Sequence, residues 1–323
     1  MPVVESSYRA PFGFSNGHVQ TIYPALFRKV RAIPVERERI TTPDDDFLDL
    51  DWHRPRNACR LVVISHGLES DSRDTGVVAM ANAFAQEGWD TLSWNYRGCG
   101  GEVNFRPRSY HSGATEDLAA VVDHALGTGR YDNLALVGLS LGGNLTLKYL
   151  GDLGPDLDPR IHSSVNISAP CDIASSSMKL QSPSNVIYMR RFLRRLTAKV
   201  RRKMEVFPAE ITDKGLDGMR TFEEFDNAYT APLHGFADAR DYWARASSLP
   251  VLSRIAVPTL LVNAANDPFL APECFPREEA LASGNFTLEV PESGGHLGFV
   301  TFRTGGRYWA EQRAVEFTAC SGG

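Results

Sequence analysis

Cysteine is scarce in this sequence and suited neither to staples nor to metal. The five residues, Cys59, Cys99, Cys171, Cys274 and Cys320, are odd in number and form no CxxC pair. That points away from a disulfide framework or a thiolate zinc site and toward a reducing, cytoplasmic setting. HExxH is absent and the eight histidines are scattered, so no metal is expected. No stretch approaches the ~18 apolar residues that a bilayer span requires. The start, MPVVESSYRAPFGFSNG, has no basic head followed by an apolar run, so no secretory leader is expected. Basic charge is in deficit, with 34 Lys and Arg against 39 Asp and Glu and a net charge of −5; this argues against a general nucleic-acid binder. The loop Arg97-Gly98-Cys99-Gly100-Gly101-Glu102 is glycine-rich but lacks both GxGxxG and the GK[ST] ending of a P-loop, so no nucleotide cofactor is expected. Repeats and low-complexity segments are absent as well.

What is present reads as one globular domain. The chain has 323 residues, 43% of them apolar and 23% charged, enough to bury a large core without staples. The first thirty or so residues show no periodicity and are expected to wrap the core as an irregular arm. Residues 35–40 and 47–53 flank the turn-like Thr42-Pro43-Asp44-Asp45-Asp46 and predict an antiparallel hairpin at a sheet edge. Apolar runs then alternate with helical patterns. Strands are predicted at 60–65, 89–94, 133–138, 163–167, 259–263 and 286–290. Helices are predicted at 76–87, 115–126 with Thr115 as cap, 142–150 and 308–318. Such alternation implies a mostly parallel sheet covered on both faces. Between about 171 and 250 it stops, and that stretch is expected to be a helical lid inserted into the domain.

The chemistry is concentrated in Gly138-Leu139-Ser140-Leu141-Gly142. This G-x-S-x-G follows the buried run NLALVG and opens the helical run GNLTLKYL, the strand–turn–helix setting of a nucleophile elbow. A tight turn holding the serine hydroxyl above the sheet leaves its neighbours no room for side chains. The base should come later in the chain. His162 is read as preceding a strand on the opposite edge, and His234 falls in the presumed lid. His296, in Ser293-Gly294-Gly295-His296-Leu297-Gly298, follows the last predicted strand and is the candidate. Asp267, in Asn266-Asp267-Pro268 just past the strand TLLVN, is the candidate acid; the bland alternative is an Asx-turn carboxylate. The main-chain N–H groups of Leu68, in His66-Gly67-Leu68-Glu69-Ser70, and of Leu141 are candidate oxyanion donors. His66 is expected to shape its loop by hydrogen bonding, and Cys99 to be a small, semi-buried residue.

Several motifs in order make the pattern more specific. They are Gly17-His18-Val19-Gln20-Thr21-Ile22-Tyr23-Pro24, His66-Gly67-Leu68, Asn95-Tyr96-Arg97-Gly98-Cys99-Gly100-Gly101-Glu102, Tyr110-His111-Ser112-Gly113-Ala114-Thr115-Glu116-Asp117, Gly138–Asn144 and the segment from Phe225-Asp226 through Tyr242-Trp243 to Asn266-Asp267-Pro268-Phe269. With them the chain resembles the YheT-like branch of the α/β-hydrolase superfamily, related to abhydrolase-type esterases and to medium-chain ethyl-ester synthase/esterases. The resemblance implies an α/β-hydrolase fold with the triad Ser140, Asp267 and His296. It implies hydrolysis of small-molecule carboxylic esters with short- to medium-chain acyl groups, or acyl transfer to an alcohol, or action on lipids. A catalytically silent ligand-binding member is the non-enzymatic alternative. Ser70 departs from the glycine often found at that position of the HGLxG loop.

One charged segment stands apart. YMRRFLRRLTAKVRRKM, from Tyr188 to Met204, carries eight Arg and Lys residues, with Met189, Phe192, Leu193, Leu196 and Val200 at helical spacing. It reads either as a lid helix packed on the core with a solvated basic face, paired to acids near 213–226, or as a basic amphipathic surface for peripheral contact with anionic lipid.

Overall fold

The computed structural model describes residues 2–55, 58–302 and 306–321. The chain opens with β1 (Val3–Val4) and α1 (Gly17–Phe27), then the hairpin β2 (Glu36–Thr41) and β3 (Phe47–His53). Next come β4 (Arg60–Ser65), α2 (Thr75–Gln86), β5 (Asp90–Asn95), α3 (Thr115–Gly127), β6 (Asn133–Leu139), α4 (Leu141–Leu153) and β7 (Ile161–Ile167). Five helices follow outside the sheet: α5 (Ile173–Leu180), α6 (Val186–Val206), α7 (Phe222–Phe225), α8 (Ala231–His234) and α9 (Ala239–Ala246). The chain re-enters the sheet as β8 (Thr259–Val262) and ends with α10 (Arg277–Ala282), β9 (Phe286–Glu289) and α11 (Trp309–Ser321).

The strand order is β1-β9-β8-β7-β6-β4-β5-β3-β2. From β1 to β5 every neighbour is parallel; β3 and β2 add an antiparallel edge. Both faces are covered, as a parallel sheet requires, and side chains alternate between them with period two. On β4, Leu61 and Val63 join the cluster under α3 and α4, while Val62 and Ile64 join the one under α2 and α11. Each such fully buried aliphatic contributes roughly 1.5–3 kcal/mol of transfer free energy. Helices α5–α9 build a third apolar cluster of their own, centred on residues such as Leu193, Val200, Phe225 and Trp243, which also touches Leu68 and Phe269.

Four expectations need correction. The first thirty residues are not an irregular arm. Asn16 caps α1 by accepting the His18 and Val19 amides, and β1 adds a parallel strand beside β9. His162 does not precede an edge strand; it lies within β7, between β6 and β8 near the sheet centre. Thr115 is the first residue of α3, and Ala114 occupies the cap position without a side-chain bond. The basic helix does not turn all its cations to solvent. Lys203 is 2% exposed and donates to the carbonyls of Arg106, Pro107 and Arg108, and Lys199 is also turned inward.

Candidate active site

Strand β6 runs directly into the turn at Ser140, whose φ of 55° and ψ of −120° lie outside the comfortable range of an L-residue. The surroundings impose that conformation. A Cβ on Gly138 would sit 2.5 Å from the Gly142 carbonyl oxygen, and one on Gly142 would sit 2.3 Å from that of Ser65. Only glycine lets β6, α4 and the end of β4 approach this closely. The Ser140 amide donates to the Ile167 carbonyl at 2.9 Å, and the Ser140 carbonyl accepts the Gly143 amide as α4 begins.

The loops after β8 and β9 bring Asp267 and His296 to this serine. His296 Nε2 lies 2.8 Å from Ser140 Oγ, and its Nδ1 lies 2.9 Å from Asp267 Oδ2. The other carboxylate oxygen, Oδ1, accepts the Phe269 amide at 2.8 Å. The histidine and aspartate side chains are 8% and 0% exposed. The Phe269 ring covers the imidazole, 4.2 Å between centroids. The Asp267 carboxylate can only accept, which assigns the ring proton to Nδ1 and leaves Nε2 to accept the Ser140 hydroxyl.

The histidine loop is held from outside the triad. The His296 amide donates to Thr21 Oγ1, the Gly295 amide to Asn266 Oδ1, and the Leu297 amide to Ser168 Oγ. Asn266 also donates to the Ser15 carbonyl. Gly295 has φ +59°, and a Cβ there would meet the Gly17 carbonyl at 2.4 Å. Helix α1 is therefore part of the support of this site. Thr21 and Asn266 escaped notice as supporting residues, although both lie inside motifs that carry the family resemblance.

The loop after β4 closes over the serine, and a Cβ on Gly67 would touch Ser140 Cβ at 3.3 Å. Among the described residues the Leu68 and Leu141 amides have no protein acceptor, and both residues line one cavity with Ser140 and His296. His66 Nδ1 donates to the Gly67 carbonyl, and its Nε2 accepts the Tyr96 amide. Burial pushes its pKa down to about 3, so the ring is neutral and stays a fixed brace. Cys99 is half-buried, with its thiol 3.1 Å from Lys199 Nζ.

The cavity holds about 1070 Å³ of empty space, open solvent at its mouth included. Apolar side chains from the helices between β7 and β8 line much of it, among them Ile173, Leu180, Phe192, Leu196 and Phe225. No group of His, Cys, Asp and Glu able to hold a metal ion occurs among the described residues. No helix there is long and apolar enough to cross a membrane. His234 lines the same cavity but is bonded to the carbonyls of Thr230 and Ser109, and His162 is bonded to that of Asp132; neither is bonded to the serine.

A mostly parallel sheet with a serine turn after a central strand, and acid and histidine loops after the next two strands beyond β7, defines the α/β-hydrolase class. The chain belongs to that family, since residues 60–302 match the family described as the alpha/beta hydrolase fold, and within it to the YheT-like branch. It is 36% identical over 298 residues to YheT of Escherichia coli (strain K12), an esterase in name, covering 89% of this chain and 85% of that protein. It is 26% identical to the human phospholipase ABHD3, over 93% of this chain and 75% of that one. Among solved structures, an esterase of Pyrococcus furiosus superposes with a TM-score of 0.61 at 17% identity, covering 92% of this chain and 97% of that one.

Proposed function

We propose that the protein is a serine hydrolase of small-molecule carboxylic esters that works through an acyl-enzyme on Ser140. One observation carries the reading: the unbroken chain from Ser140 Oγ through both nitrogens of His296 to Asp267. In this reading His296 takes the serine proton as Oγ attacks the ester carbonyl. Asp267 holds the imidazole tautomer and stabilises the imidazolium. The Leu68 and Leu141 amides receive the oxyanion. His296 then protonates the leaving alcohol, and water completes the cycle by attacking the acyl group. Helices α5–α9 act as a lid whose apolar lining takes the acyl chain, which suits short- to medium-chain esters. The esterase and phospholipase names of the relatives agree with ester cleavage. An alcohol acceptor in place of water would make the same machinery an acyltransferase.

The test is hydrolysis of p-nitrophenyl esters from acetate to palmitate by wild type and Ser140→Ala. The expected result is an optimum at one chain length and a loss of roughly 10⁴-fold or more in the variant. Wild type without turnover and without fluorophosphonate labelling would leave a ligand-binding protein as the better reading.

A second reading concerns where the substrate is met. Arg190, Arg191 and Arg194 are exposed on α6 and have no ion-pair partner among the described residues. Helix α1, whose His18 stacks on Tyr188 of α6, presents Val19, Ile22, Leu26 and Phe27 to solvent. Unpaired cations on one helix and exposed apolar side chains on the helix it touches fit an anionic lipid surface, at about 1 kcal/mol per arginine. Sedimentation with phosphatidylglycerol vesicles but not phosphatidylcholine vesicles, lost on replacing the three arginines with glutamine, is the expected outcome. Equal recovery with both vesicles would remove this reading.

A further inference from the structure

Helix α6 grips the loop that carries the Leu68 amide. Glu69, the next residue, is bonded through its amide, its carbonyl and one carboxylate oxygen. Its amide donates to Tyr110 Oη at 2.9 Å. Its carbonyl accepts Arg195 Nη1 at 2.8 Å. Its carboxylate oxygen Oε1 accepts both Tyr110 Oη, at 2.7 Å, and Lys199 Nζ, at 2.6 Å. Arg195 and Lys199 are one helical turn apart on α6, so a single face of that helix reaches both ends of one residue. Glu69 also has φ +51°, the left-handed region that a residue with a Cβ leaves unless it is held.

The charges are placed where they are hard to explain as surface decoration. The Lys199 and Glu69 side chains are 15% and 5% exposed. Lys199 also lies over the Tyr110 ring, 4.7 Å from its centroid. Both residues line the same cavity as Ser140 and His296. Leu68 itself packs against the sheet cluster on one side and the α5–α9 cluster on the other. The peptide units around Leu68 therefore lie between the body of the protein and α6.

We propose that Lys199 and Arg195 are positioning residues: through Glu69 they hold the Leu68 amide in its oxyanion-binding orientation, so that α6 must be docked for the hole to be complete. The inference rests on the serine-hydrolase reading above. It makes α6 part of the catalytic geometry as well as a wall of the acyl pocket. A strained loop residue fixed by a buried ion pair is the kind of support that keeps an oxyanion donor within its narrow working range.

The test uses the full chain, p-nitrophenyl butyrate and a trifluoromethyl ketone, which forms a tetrahedral oxyanion adduct with the serine. Lys199→Met, Glu69→Gln and Arg195→Gln are compared with wild type, with Ser140→Ala as control. For Lys199→Met, kcat is expected to fall roughly 10- to 100-fold, less than the 10²–10³-fold that deleting a donor outright causes. KM should stay within about twofold and the ketone Ki should rise by the same factor as kcat falls, since the interaction is realised only in the transition state. Lys199→Met/Glu69→Gln should be no worse than Lys199→Met, because both remove one contact. A Lys199→Arg variant should recover part of the loss. Unchanged kcat and Ki in folded Lys199→Met, or losses confined to KM and Tm, would overturn the proposal. If Lys199→Met does not fold, the near-isosteric Glu69→Gln and the exposed Arg195→Gln decide on the same two readouts. Activity surviving in Ser140→Ala would instead overturn the serine reading, whatever the lysine does.

Discussion

The Thr21 hydroxyl accepts the main-chain amide of His296 at 2.9 Å, joining positions 275 residues apart in the chain. Through this bond α1 sets the height of the imidazole over Ser140. Thr21→Ala leaves the His296 amide without an acceptor, at a cost of about 1 kcal/mol. The expected result is a several-fold fall in kcat/KM for p-nitrophenyl butyrate, with Thr21→Ser close to wild type. Activity equal in Thr21→Ala and wild type would show that the glycine loop holds the histidine without help.

Asp267 accepts His296 Nδ1–H on one oxygen and the Phe269 amide on the other. In Asp267→Asn, an amide that keeps the Phe269 bond through its oxygen turns its NH₂ toward the ring, which favours the tautomer with the proton on Nε2. That ring cannot accept the serine proton. A kcat lower by roughly 10⁴-fold with little change in KM is expected. A loss under tenfold would show that Asp267 is only a turn residue.

How far the site could be read before the structure was known follows from the range of the interactions involved. The serine turn was legible because its glycines lie two residues on either side of Ser140 in a strand-to-helix pattern; the Gly138 clash with Gly142 is local, whereas the Gly142 clash with the Ser65 and His66 carbonyls shows only in the fold. The strands around it were legible because each is a short apolar run. Helix α1 was not, because it contains Pro24 and buries only Gly17 and Gln20; its place is set by Thr21 and His18 contacts distant in sequence. The inward turn of Lys203 was equally hidden. Its ammonium group is satisfied by carbonyls of residues 106–108, some 95 positions away, whereas helical periodicity alone assigns a lysine to solvent. His162 was misplaced because chain order does not reveal that β7 lies between β6 and β8.

The crowding at the elbow gives a stability prediction. A Cβ at Gly142 would meet the Ser65 and His66 carbonyl oxygens at 2.3 and 2.6 Å, main-chain atoms that cannot swing aside. Gly142→Ala is expected to lose about 1–3 kcal/mol or more in denaturant unfolding and to lose activity with it. Gly127→Ala, at the end of α3 with nothing within 4 Å of the new Cβ, should be neutral or gain up to about 1 kcal/mol. Equal effects of the two substitutions would show that the elbow relaxes easily.

Asp226 offers a pH-dependent reading of the lid. Its carboxylate accepts Thr230 Oγ1 at 2.6 Å and Trp243 Nε1 at 2.8 Å. It has no ion-pair partner among the described residues. Burial, only partly offset by those two donors, pushes its pKa up from 3.8 to about 6. A carboxyl group with a raised folded pKa binds more protons folded than unfolded between these two values. Its stabilising protonated form is therefore fully present below about pH 4 and is lost as pH rises through 6. The span of about two units corresponds to about 3 kcal/mol. Other carboxylates titrate in the same window, so the informative quantity is the stability of wild type minus that of Asp226→Asn, measured by urea unfolding from pH 3.5 to 8. That difference should fall by about 3 kcal/mol between pH 4 and 6 and be flat above 7. Any fixed cost of the asparagine, such as a poorer partner for Trp243, shifts the whole curve without changing its shape. A difference independent of pH would mean that water or a cation reaches Asp226 and that this part of the α5–α9 cluster is open in solution.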